Sequence, residues 1–277
     1  MRLHFRTYDG DGTGEYTYSL KYDNGTKEKI SCVEIHRTWD LVSDNDITTS
    51  STAEMPLISF PDKARTLIVT GLMFDEIESC DLTSSLIQRY SSVEASVDVI
   101  LFEYKELLNK ILSGSYTACI IISYGSSGVD SEVKSIMKSE MTNAITAFTR
   151  NGGRFCVQGE GIATSLLNKC FQKKWYSATY ERDINDICIY HPQLGISEKL
   201  YSTLPTQYKV KAVALSNVDQ NFQLYSSSND QYCTVVLCKY HYGRVLYFGD
   251  VNSKDSTADL IFKLCEISEE EIRSTVI

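Results

Sequence analysis

At 277 residues, 43% of them apolar and 11% aromatic, the chain can bury one substantial core or two modest ones, which excludes a disordered protein. The formal charge of −9 and pI near 5.0 give a surface that on average repels nucleic-acid phosphates and anionic membranes, so neither is expected as a partner. No stretch approaches the roughly 18 apolar residues that span a bilayer, and the opening MRLHFRTYDGDG lacks the apolar run of a secretory leader, so a soluble cytosolic protein is expected.

Residues 1–60 predict a β-rich module. Asp9-Gly10-Asp11-Gly12-Thr13-Gly14 opens like a calcium loop, but the position that needs a bidentate Glu is Leu20, so a polar glycine-rich loop is expected instead. Tyr16, Tyr18, Leu20 and Tyr22 then alternate into the Asn24-Gly25 turn signal and on to Ile30, Cys32 and Val33, the pattern of a hairpin. The polar run VSDNDITTSSTAEMP reads as a linker.

Residues 61–277 predict one α/β domain. RTLIVTGLMF, VDVILFEY, TACIIISYG and RFCVQGEG are apolar strands separated by helical stretches, the rhythm of an open, mostly parallel sheet with helices on both faces. Asn151-Gly152-Gly153 marks the end of the longest helix. Beyond Trp175 the pattern weakens into further strands, YSATYERDINDICIYH and QYCTVVLCKYHYGRVLYFGD, and a final helix, STADLIFKLCEI.

Two turns leave the carboxyl ends of parallel strands, where open α/β sheets place their sites. Gly125, Ser126 and Ser127 follow IIISY, and small residues there let backbone N–H groups approach an anion at a helix start; a strand-to-helix turn uses the same residues for its geometry alone. Gly159-Glu160-Gly161 follows RFCVQ, and Glu160 doubles as an ordinary anionic cap on the next helix.

The arrangement resembles the class I glutamine amidotransferase-like fold, flavodoxin-like in its sheet, over roughly residues 63–265. YHYGRVLYFGDVN and His191-Pro192 are similar to segments of ThuA-like proteins, and GGRFCVQGEG is similar to the amidotransferase-like domain that opens an intraflagellar-transport subunit. The resemblance implies a G-x-C-x-G elbow whose nucleophile position falls on Gly159, and a His-x-Glu element falling near Val251 to Ser253, where no histidine stands. An amidotransferase needs a thiolate and a proton shuttle, so glutamine hydrolysis by that route is not expected and no catalytic residue is assigned.

The nine cysteines form no C-x-x-C pair and sit mostly in apolar segments, so they are expected to be reduced and buried. Cys188-x-x-His191 is a lone pair, and no metal or cofactor is expected. The C-terminal Ser274-Thr275-Val276-Ile277 fits a PDZ ligand but is expected to be a frayed tail. The leading expectation is a non-catalytic scaffold or binding subunit of a cytosolic or ciliary assembly, whose partners are other proteins, with homo-oligomerisation left open. The alternative is a small-molecule, sugar-type binder or hydrolase of ThuA-like type. Its ligand-binding candidates are Gly125, Ser126, Ser127, Gly159, Glu160, Gly161, His191 and Asp250.

Overall fold

The computed structural model describes residues 2–4, 17–21, 27–31, 64–72, 76–93, 95–123, 134–159, 162–181, 184–227, 232–251 and 255–265. The chain divides into two units, Met1–Glu54 and Met55–Ile277. In the first, β1 (Arg2–His4), β2 (Thr17–Lys21) and β3 (Lys27–Ser31) form an antiparallel sheet in that order, with Lys21 opposite Lys27. The calcium-like loop, Asn24-Gly25 and the C-terminal Ser274–Ile277 lie outside the described residues.

The second unit begins with β4 (Arg65–Leu72), α1 (Glu76–Ser92), β5 (Ser96–Leu101), α2 (Tyr104–Leu112), β6 (Ala118–Ser123), α3 (Ser139–Arg150), β7 (Arg154–Gly159) and α4 (Ile162–Phe171). It continues through β8 (Tyr176–Glu181), β9 (Ile184–Ile187), a 3-10 turn at Pro192–Leu194, α5 (Glu198–Tyr201), β10 (Gln207–Lys209) and β11 (Ala212–Ser216). Then come β12 (Gln223–Ser226), β13 (Cys233–Tyr240), β14 (Gly243–Phe248) and α6 (Asp255–Cys265).

Five strands run parallel in the order β5-β4-β6-β7-β14. Counted by their own succession this is 2-1-3-4-5, the flavodoxin-like doubly wound order, whose ligand crevice lies outside the strands' carboxyl ends. Every residue of β6 and β7 is buried, as a sheet covered on both faces requires. On one face Ile68, Ile120, Cys156 and Leu246 pack with Leu82 and Leu86 of α1 and with Leu260, Ile261 and Leu264 of α6. On the other, Leu67, Ile121, Phe155 and Val157 meet Leu107 and Ile111 of α2, Ile145 and Phe148 of α3 and Leu166 of α4.

The local signals act as their chemistry dictates. α3 ends in a Schellman turn: Gly152 takes φ +122°, and Gly153 N–H donates to Phe148 O at 3.0 Å. Beyond β14 the sheet continues antiparallel through β13, β12, β9 and β10, and β11 joins β13 to β8. This wing occupies the region where the sequence pattern weakens.

Candidate functional site at the carboxyl edge of the sheet

Gly159 closes β7, paired with Ser123 at the end of β6. Its φ of +103° is one that L side chains rarely adopt, and a Cβ built on it would stand 1.5 Å from the Ser123 carbonyl oxygen. The place where the resemblance sets a nucleophile is therefore closed to any side chain while β6 and β7 keep this pairing. Gly125, Ser126, Ser127, Glu160 and Gly161 lie outside the described residues.

Asp250, two residues beyond β14, is 0% exposed. Its carboxylate accepts from the Thr257 hydroxyl, which in turn pairs with the Tyr208 hydroxyl, and its backbone oxygen accepts from Gln158 Nε2. Tyr208 packs tilted against Tyr225 with ring centroids 5.4 Å apart, and both residues are buried. Asp250 thus ties the end of β14 to the first turn of α6, where the helix N-terminus favours an anion. Gln158 is as buried as Asp250, and its Oε1 has no hydrogen-bond partner among the described residues. No local motif marks Gln158, Thr257 and Tyr208 as members of this network; the one signal in the sequence is a polar residue inside the apolar run FCVQG.

His191 stands elsewhere. Its Nδ1 accepts from Gln193 N–H at 3.2 Å and so caps the 3-10 turn at Pro192–Leu194. Gly195, which ends that turn at φ +74°, approaches Lys239 so closely that an added Cβ would lie 3.0 Å from the Lys239 Cβ. Lys239 pairs with Arg244, and Arg244 with Arg154 at the start of β7. His191 therefore belongs to the amino-terminal edge of the parallel strands. Gly159 and Asp250 belong to the carboxyl edge, roughly 17 Å away at about 3.3 Å per strand residue.

Cys119, Cys156, Cys170, Cys233, Cys238 and Cys265 are buried, while Cys188 is partly exposed, its Sγ 3.3 Å from Ser226 Oγ on the antiparallel wing. Burial pushes the Cys170 thiol up to about 12. Burial likewise raises Cys119, Cys156 and Cys233, so these four thiols hold almost no thiolate near neutral pH. Among the described residues no three His, Cys, Asp or Glu side chains are placed to hold a metal ion, and no helix is long and apolar enough to cross a membrane.

No protein-family model matches the sequence, and no curated protein matches it. Among solved structures, the chain is similar to a putative ThuA-like protein from Bacteroides uniformis at 10% identity and TM-score 0.47, over 78% of this chain and 94% of that one. It is also similar to a β-galactosidase from Bacillus circulans sp. alkalophilus at 12% identity and TM-score 0.43, over 73% of this chain and 30% of that one. An exo-β-1,4-mannosidase from an Opitutaceae bacterium matches at 11% identity and TM-score 0.40, over 74% of this chain and 36% of that one. The chain spans about a third of the length of these two glycosidases. The fold assignment rests on the strand order and the two-sided helical cover described above: an α/β protein built on an open sheet with a parallel core.

Proposed function

We propose that the protein is a non-catalytic, amidotransferase-like binding subunit of a cytosolic or ciliary protein assembly. The observation that carries the reading is Gly159, whose missing Cβ would sit 1.5 Å from the Ser123 carbonyl. A reactive thiol at the tip of this bend needs room above the strand end, and here a backbone oxygen fills that room. Loss of the nucleophile leaves only binding and electrostatic effects, far short of turnover by a thiol mechanism. The rival reading, a sugar-type binder of ThuA-like type, needs His191 and Asp250 in one pocket. It is supported less, because the two residues stand at opposite edges of the sheet and Asp250 is fully buried.

The test has two arms. Purified protein is incubated with glutamine and ammonia release is followed; then the tagged protein is cross-linked and purified from its native cells. The reading expects release at the rate of buffer alone and a stoichiometric protein partner. Turnover of glutamine, or a protein that always purifies alone, contradicts it.

A further inference from the structure

At the amino-terminal edge, Pro192, Gln193, Phe222, Lys239 and His241 line an open groove of about 510 Å³. Several elements converge on it. The hairpin between β13 and β14 turns through His241, a non-glycine residue at φ +53°, whose ring packs edge-on against Tyr240 at 4.9 Å. Backbone held in this region costs about 1 kcal/mol or more, and such strain concentrates where a side chain must be presented. The 3-10 turn capped by His191 supplies Pro192 and Gln193. Lys173, just beyond α4, places its Nζ 4.4 Å from the centroid of the Phe222 ring.

The chemistry of the groove differs from that of the chain as a whole. The formal charge of the protein is −9, yet Lys239 and His241 line this groove, and the Lys173 ammonium lies over the ring of Phe222 at its wall. Arg150 lies beside the same turn, its carbonyl accepting from Tyr242 N–H at 3.3 Å. Asp219, close by in the chain, is engaged in capping the turn before Phe222, its carboxylate accepting from Asn221 N–H at 2.9 Å. Ile189, three residues before Pro192, is 91% exposed, and Tyr242, next to His241, is 74% exposed, the two most exposed large apolar side chains among the described residues. Nucleic acid is disfavoured because the Phe222 face that a base would stack on is covered by Lys173.

Resting on the binding-subunit reading, we propose that this groove docks an acidic linear segment of a partner protein. Its carboxylates meet Lys173, Lys239 and His241, and its apolar side chains cover Ile189 and Tyr242. Complementary charge steers the encounter and fixes the register, while the buried apolar contact supplies affinity.

The test is fluorescence anisotropy with a fluorescein-labelled synthetic peptide of alternating Glu and Leu. Competitors are its Lys-for-Glu counterpart, a single-stranded oligonucleotide and phosphatidylserine vesicles. The proposal expects saturable binding of the acidic peptide that weakens with salt and falls about tenfold or more in Lys239→Glu/Tyr242→Ala. Both of those side chains are exposed, so the fold is expected to persist, and circular dichroism checks it. Lys105→Glu, on the exposed face of α2, is expected to bind as the parent does. No saturable binding, equal affinity in the double variant, equal weakening by Lys105→Glu, or preference for the oligonucleotide or vesicles overturns the assignment. If native cells yield a partner that the double variant captures as well as the parent does, the groove assignment falls and the binding-subunit reading stands. If the parent captures no partner, the reading itself falls.

Discussion

Replacing Gly159 with alanine places one methyl group where the end of β6 already stands. Two costs add. Holding an L residue at φ +103° is of order 1–3 kcal/mol, and an added Cβ 1.5 Å from the Ser123 carbonyl oxygen cannot exist unless the strand ends separate, an overpacking cost of about 1–3 kcal/mol. The Ser123 and Gly159 pair is the last of the β6 and β7 register, so the ends can part without breaking the rest. A net loss of about 3–5 kcal/mol is expected, a large fraction of the roughly 5–15 kcal/mol that holds a domain together. Gly195→Ala is the control. It also replaces a left-handed glycine, at φ +74°, but its nearest contact is 3.0 Å, to a side-chain carbon of Lys239. The effect on the unfolded chain is the same in both variants, so it cancels in the comparison. Urea unfolding followed by circular dichroism reads both, with a lower midpoint and unchanged slope expected for Gly159→Ala and about a third of that loss for Gly195→Ala. A loss below about 0.5 kcal/mol for Gly159→Ala, or no difference between the two, refutes the closed-bend argument.

Three further outcomes follow from the same geometry. Thr257→Val removes the hydroxyl between Asp250 and Tyr208 and takes one buried hydrogen bond from each, so a loss of about 1–3 kcal/mol in urea unfolding is expected, and a neutral result contradicts the network. Of the seven cysteines whose burial is described, Cys188 alone is partly exposed, so brief iodoacetamide treatment of the native protein, mapped by mass spectrometry, should alkylate it well ahead of the other six; uniform labelling of these seven contradicts the burial. The Cys170 thiol rises from 9.0 to about 12 in the fold, so the unfolded chain gives up this proton first as pH rises. The stability contributed is fully present below pH 9 and is lost as pH climbs toward 12, at up to about 1.4 kcal/mol per unit for each such thiol. An unfolding midpoint that stays flat from pH 8 to pH 11 contradicts that sign.

The strands and helices of the parallel core are legible because buried strands such as ACIIIS and RFCVQG are apolar throughout and the helices between them carry their own caps and stops. The antiparallel wing is not, and β9 shows why. In INDI the fully buried residue is Asn185 while Ile184 is 42% exposed, so hydrophobicity points the wrong way along the strand. The closure at Gly159 is half legible. The sequence shows a glycine where the resemblance sets a cysteine, but the Ser123 carbonyl that excludes a side chain comes from β6, a separate strand. Asp250 reads as a ligand candidate because its partners are distant in the chain: Gln158 is 92 residues away, and only the pairing of β14 beside β7 brings them together. His191 is assigned to the wrong neighbourhood for a similar reason. Which edge of the sheet it occupies depends on the seating of its turn against β13, which local spacing does not encode.

At the carboxyl edge of the sheet, the position where the resemblance sets a reactive thiol is Gly159, whose Cβ would meet the Ser123 carbonyl. The most direct measurement treats the native protein with an electrophilic glutamine analogue bearing a diazoketone and reads the intact mass. An unmodified protein is expected after prolonged exposure; a stoichiometric adduct that maps to any one cysteine or serine contradicts the closed bend at Gly159.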